Sequence, residues 1–287
     1  PTLEDNSSVG FSTSTPYFWA ISDNKDMTFT PKIYTKENLL VLHEYRHAFK
    51  DSFLLVDSGY TKGYKKTDKL KKSKGSRSHF FAKYNHDLSK DDFSSNLEIN
   101  FQQVNNDTYL KVHDIETELV DKTNNIITKD INYEFQSDKS YLGISAAMYE
   151  NLTSNDSDKT RFEYSVPNIL FERNLFTGDK TGVFDIKSNA FVKNFKVNQT
   201  TKFWINDVNW QSNPFVSLNG IQNKFKGLFK IVNYEAEGAQ KYKTEGLNSE
   251  VSGVLAYDAK LPMSKKNQDK NKINFFTPKL SFRYAPG

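Results

Sequence analysis

Five consecutive residues, His43-Glu44-Tyr45-Arg46-His47, spell H-E-x-x-H, the spacing with which zinc proteases hold their metal. That chemistry requires a helix, where the two imidazoles stand one turn apart and share a zinc while the glutamate activates water. On a strand, residues four apart lie about 13 Å from one another, too far to ligate one ion. The stretch ENLLVLHEYRHAFKDSFLL can be drawn either way, but strand-like segments flank it and no further ligand pattern follows. A strand is therefore expected here, and the metalloprotease reading is disfavoured.

The remaining reactive side chains form no constellation. His79, His86 and His113 lack ligand spacing, and no nucleophile–base pair, glycine-rich phosphate loop or paired carboxylates stand out. Cysteine is absent, which removes disulfides, thiolate catalysis and Cys-ligated zinc together. The Lys-rich run at 61–77 invites phosphate binding, but such runs are usually solvated loops. Basic and acidic side chains number 39 and 35, and a net charge of +4 is too balanced for a nucleic-acid surface. Asn6, Asn106, Asn151 and Asn198 begin N-x-S/T sequons, which carry little meaning in a bacterial protein. Neither catalysis nor a cofactor or metal is expected.

The elements that must position these side chains are strands. Phe80, Ala82, Tyr84, His86 and Leu88 alternate with Phe81, Lys83, Asn85 and Asp87, the second set making a largely polar face. Leu97, Ile99 and Phe101 alternate likewise with Glu98, Asn100 and Gln102, and Ile131, Tyr133 and Phe135 with Asn132, Glu134 and Gln136. A period of two places successive side chains on opposite faces of a strand. About fourteen such segments, joined mostly by short polar connections, predict an antiparallel meander. Their length of about ten residues suits an all-β, up-and-down transmembrane β-barrel, as do 23 Phe, 15 Tyr and 3 Trp. A mean hydropathy of −0.69 does not oppose this, because only the outer face of a barrel must be apolar. No run approaches the roughly 18 apolar residues of a spanning helix. Residues 105–125 alone read as irregular, with IETELVDK able to form one or two helical turns. No internal boundary is visible, so one domain over 1–287 is expected. In a barrel, Lys83, Asp87, Glu98, Gln102 and Glu134 would face a hydrated lumen. The first residues, PTLEDNSSVGF, lack the basic start and apolar core of a secretory signal.

One further pattern runs through PYFWAISDNKDMTFTPKIYTKENLLVLHEYRHAF: Pro16, Tyr17, Phe18 and Trp19, then Asp26, Thr28, Thr30 and Pro31, then Glu44, Tyr45 and Arg46. In this order the residues resemble the opening of the β-barrel of the LptD family, outer-membrane proteins of lipopolysaccharide assembly. The similarity continues through RSHFFAKYNHDL, VNNDTYL, SYLGISAAMYENL, VPNILFERNLF and FFTPKLSFRYAPG, and so spans the chain. It implies roughly the first half of such a barrel, without the family's preceding periplasmic jellyroll domain and closing strands.

The resemblance also implies a setting, the outer membrane of a Gram-negative cell. The partners it implies are lipopolysaccharide, outer-membrane lipids, an LptE-like plug lipoprotein and the periplasmic Lpt bridge reached through the jellyroll. In the family the first strand meets the last at a seam, a lateral gate, and Pro16 and Pro31 match prolines taken to weaken it so that lipid leaves sideways. Physically, proline has no N–H for a ladder and sits at edges, bends or strand ends. The function so implied is delivery of lipopolysaccharide to the outer leaflet through the lumen and seam. A porin or nutrient channel is the alternative with the same alternation. A soluble β-rich binding protein, burying its apolar face in a sandwich, is another.

Overall fold

The computed structural model describes residues 1–62, 75–153, 161–179, 181–195, 199–239, 242, 246–267 and 272–286. Among them the only helix is a single turn. The chain begins with β1 (Thr2–Asn6), β2 (Gly10–Ser14), β3 (Tyr17–Ser22), β4 (Lys25–Tyr34), β5 (Leu40–Ala48), β6 (Ser52–Thr61), β7 (Arg77–Asp87) and β8 (Phe93–Val104). After α1 (Tyr109–Val112) come β9 (Ile126–Ser137), β10 (Ser140–Asn151), β11 (Phe162–Gly178), β12 (Gly182–Phe195) and β13 (Gln199–Gln211). Then follow β14 (Phe215–Val216), β15 (Gln222–Glu237), β16 (Asn248–Lys260), β17 (Met263–Asn267), β18 (Lys272–Phe276) and β19 (Lys279–Tyr284).

Alternation in the sequence becomes two faces through the register. Where β7 meets β8, Ala82 pairs with Phe101 and Tyr84 with Ile99, while Lys83 pairs with Asn100 and Asn85 with Glu98. Directly opposed residues share a face, so apolar meets apolar and polar meets polar. The hairpin turn is closed by reciprocal backbone bonds between Lys90 and Phe93. Asp87 secures it by accepting the Ser89 amide at 2.9 Å.

The expected transmembrane barrel requires correction. Among the described residues seventeen strands belong to one sheet, and β17 and β18 form a separate hairpin. Among the described residues β1 pairs only with β2, β3 only with β4, and β19 only with β16. Among the described residues no register joins the first strands to the last, so the sheet is open. An open edge leaves a row of N–H and C=O groups without partners, which a hydrocarbon layer does not tolerate. Delivery of lipopolysaccharide through a lumen and a seam needs a closed ring, and so does a porin; neither mechanism fits this sheet. Alternation could not reveal this, because each strand reads the same in an open sheet as in a closed barrel.

The chain divides into two compact units: residues 1–135, 144–167 and 193–199 form one, and 136–143, 168–192 and 200–287 the other. The first unit holds a core of Val9, Tyr34, Leu40, Phe81, Val104, Tyr109, Leu110, Ile115, Val120, Ile127 and Leu152. Phe81 is fully buried although its neighbours on that face are polar. The reason is residues 105–125, which fold over the face and cover it. Their single helical turn is Tyr109–Val112; IETELVDK is not helical. In the second unit Phe203 stacks on Tyr234, with ring centroids 5.6 Å apart, and Phe225 leans on Tyr257 at 5.1 Å.

Candidate functional site

The motif residues converge on the N-terminal edge. Ser14 pairs with Lys32 and Tyr17 with Phe29, so β2 and β3 meet β4 in one continuous register. The break between them is therefore not a slip: Thr15 stands opposite Pro31, and Pro16 opposite Thr30. Thr15 donates its N–H to the Pro31 carbonyl at 3.3 Å. In an antiparallel pair of this kind the return bond would run from residue 31 to the Thr15 carbonyl, and proline has no hydrogen to give. One ladder bond is thus missing. Pro16, one residue on, turns its nitrogen to the outer side, just past the Thr2–Ser14 pair where β1 ends. Beyond it Tyr17, Phe18 and Trp19 are each more than half exposed.

Behind this edge lies a cluster of charges on the polar face. Asp26 and Arg46 are cross-strand partners, and the Arg46 Nε donates to Asp26 Oδ1 at 3.0 Å. Glu44 lies 3.7 Å from the same nitrogen and is paired with Thr28 across β4. Burial pushes the Glu44 carboxyl above its ordinary range; Arg46 opposes the push, and Glu118, Asp57 and Asp26 add to it. Thr30 pairs with Leu42 and completes the row.

Of the side chains expected to face a lumen, three form a polar ledge further along the sheet. Lys83 pairs with Glu98 at 3.3 Å. Asn100 donates to Glu98 at 2.7 Å and to Asp130 at 3.1 Å, tying β8 to β9. Gln102 binds the Leu119 carbonyl at 3.2 Å and accepts the Thr128 amide at 2.7 Å. Glu134 is exposed further along β9. Asp87 ends β7 beside the hairpin turn, and its carboxyl is held low by the Ser89 hydroxyl and amide. The sheet being open, these residues line a face and not a lumen.

His43 to His47 lie on β5, a strand. His43, Tyr45 and His47 therefore share one face and Glu44 and Arg46 the other, which separates the zinc-protease base from its would-be ligands. The His43 ring rests on Phe29 with centroids 4.9 Å apart, and the Tyr45 hydroxyl meets His47 Nδ1 at 3.1 Å. Among the described residues no three of His, Asp or Glu are gathered to hold a metal. Most of the Lys-rich run at 61–77 lies outside the described residues.

The reading by alternation set residues 105–125 apart as irregular, but gave neither their covering role nor the groups that hold them. His79 Nε2 lies 2.5 Å from Asp57 Oδ1, and His79 Nδ1 lies 3.3 Å from the Tyr109 hydroxyl. Burial pushes the Tyr109 hydroxyl far above the ordinary tyrosine range. At the near end Arg161 grips Asp107 through two bonds of 2.9 and 3.0 Å and Glu150 through one of 2.7 Å. The available signal was the length of this connection, since hairpin loops usually run two to five residues.

These features describe an all-β protein whose two-faced sheet has a weakened edge and, in the first unit, a polar ledge covered by residues 105–125. Over 158 residues, 54% of this chain, the sequence is 23% identical to the LPS-assembly protein LptD of Actinobacillus pleuropneumoniae serotype 7 (strain AP76). The matched stretch is 20% of that relative's length, so the chain spans only a part of it. No protein-family profile matches. The likeness is distant and partial, and it does not show the chain's family.

Proposed function

We propose that this protein is a cell-envelope component of the lipopolysaccharide-assembly kind, placed at the outer membrane, that meets lipid with one face of its sheet and acts without catalysis. The observation that carries the reading is the sidedness of exposure. In the first unit Phe29, Phe80 and Phe101 share a face and stand 37%, 47% and 40% exposed, and in the second unit, taken by itself, Phe229, Leu255 and Tyr284 share a face and stand 46%, 62% and 56% exposed. On the other face of the first unit lie the pairs Asp26–Arg46 and Lys83–Glu98, and on the other face of the second unit Asp207–Lys230 and Lys226–Asp258. Apolar exposure on this scale marks a surface that meets lipid or another protein. Likeness to an LPS-assembly protein favours lipid, with the acyl chains of lipopolysaccharide and membrane lipids against the aromatic face. The polar face, where residues 105–125 do not cover it, stays hydrated and takes protein partners, for which an LptE-like lipoprotein and the periplasmic Lpt bridge are the ones this reading implies. Pro16 and Pro31 keep the N-terminal edge weakly paired, so that it can give way.

Flotation with vesicles tests the proposal. The chain should float with phosphatidylcholine vesicles and more strongly when they carry lipopolysaccharide. Phe80→Asp together with Phe101→Asp should weaken flotation, and Lys83→Met should not. Equal flotation with both vesicle types would refute the lipopolysaccharide assignment, and no flotation with either would refute lipid contact.

A further inference from the structure

The segment 105–125 and the N-terminal edge share one buried cation. Lys32 follows Pro31 on β4, and its side chain is only 6% exposed. Its ammonium donates to Glu4 Oε2 at 2.7 Å, to the His113 carbonyl at 3.3 Å and to the Asp114 carbonyl at 3.4 Å. An ammonium has three hydrogens, and three acceptors are provided. One belongs to β1 and two to the covering segment, which are remote from each other in sequence. The Tyr34 hydroxyl, two residues along β4, gives a further bond of 3.2 Å to the His113 carbonyl.

The backbone at this contact is unusual. Asp114 has φ of 51°, the left-handed region that a residue with a side chain seldom occupies. Such a conformation persists only where surrounding contacts impose it. Here the Lys32 bonds fall on its own carbonyl and on the one before it. The covering segment otherwise combines the buried Tyr109, Leu110, Ile115 and Val120 with polar anchors. On the other side β1 is short, with β2 as its strand partner among the described residues.

We propose that Lys32 is a latch that joins the strap formed by residues 105–125 to the edge strand β1, so that the two release in one cooperative step. If Glu4 leaves, a buried charge is left with two carbonyl dipoles and the face of the Tyr34 ring, and its hold on the strap weakens. If the strap leaves, Lys32 becomes hydrated and its bond to Glu4 becomes an ordinary solvent-exposed pair, which holds little. Release would uncover the polar ledge at the moment when the edge beside Pro16 and Pro31 loosens. Coupling of two sites in this sense requires an element whose state both of them bias, and the Lys32 ammonium is that element.

Amide hydrogen exchange on the whole chain tests the latch. Glu4→Gln removes the charge on β1 without altering a strap residue. It should speed exchange at Val112, His113 and Ile115, whose amides are bonded within the strap, by about tenfold, in line with loss of a charge-assisted hydrogen bond. Lys202→Met, which breaks an exposed ion pair with Glu235 in the second unit, should leave both segments unchanged. Faster exchange in β1 with the strap unaffected would overturn the proposal. In the unaltered chain the amides of β1 and of the strap should also open with the same urea dependence, and two different dependences would overturn it equally.

Discussion

Gly59 shows how little room the strap leaves. A Cβ there would lie 2.6 Å from His79 Cε1, 2.7 Å from Leu42 Cδ2 and 2.8 Å from the Tyr109 hydroxyl. Gly59→Ala should therefore destabilise the first unit by about 1–3 kcal/mol, the usual cost of overfilling a tight site, visible as a lower urea midpoint. Glu44 carries a different signature. Its carboxyl is raised above the ordinary value of 4.5 in the folded chain, mainly by burial. A raised carboxyl contributes stability that is fully present below its unfolded value and is lost as pH rises through its folded value. Glu44→Gln should thus gain on the unaltered chain as pH goes from about 4.5 toward neutrality, measured as the difference in urea midpoints along that range. A difference that stays constant with pH would show that Glu44 ionises without penalty. At this scale the sequence was informative about type and face but not about partners. Asp26 and Arg46 stood out as motif residues, yet only the β4–β5 register brings them together. His79 had no recognisable spacing because its partners come from β6 and from the strap.

At the scale of elements, the alternation told which residues form strands because period two is a local property of each segment. Two features escaped it for physical reasons. Residues 105–125 have no period, since Tyr109, Leu110, Ile115 and Val120 are buried by a winding backbone that presents no regular face. The break at Thr15–Pro16 was hidden inside one apparent strand, and only the constant register shows that pairing resumes in step. The two prolines should differ in a way this geometry dictates. Pro31→Ala supplies a hydrogen opposite the Thr15 carbonyl, and its new amide should be protected from exchange. The bond adds about 0.5–1.5 kcal/mol, partly offset by about 0.4–1 kcal/mol of lost proline restriction in the unfolded chain. Pro16→Ala supplies one that faces the outer edge, and its new amide should exchange freely. Protection at both positions would mean that the edge has a partner and is not open.

For the whole molecule, the sequence pattern leads readily to a closed barrel, and the pairings lead to an open sheet. The difference lies in closure, which depends on whether strands far apart in sequence meet with consistent tilt and stagger. No window of sequence records that. What survives is the sidedness within each unit: aromatic and aliphatic groups exposed on one face, ion pairs on the other. It is this sidedness, together with a distant likeness to a lipopolysaccharide-assembly protein, that makes lipid contact the central claim.

The absence of cysteine allows that claim to be measured directly. A single cysteine at Phe80→Cys and, separately, at Lys83→Cys places an environment-sensitive fluorophore on the apolar or the polar face of β7. On addition of vesicles containing lipopolysaccharide, the label at position 80 should shift to the blue and become shielded from an aqueous quencher, while the label at position 83 should change in neither respect. Equal responses at the two positions, or a response at 83 alone, would contradict one-faced contact with lipid.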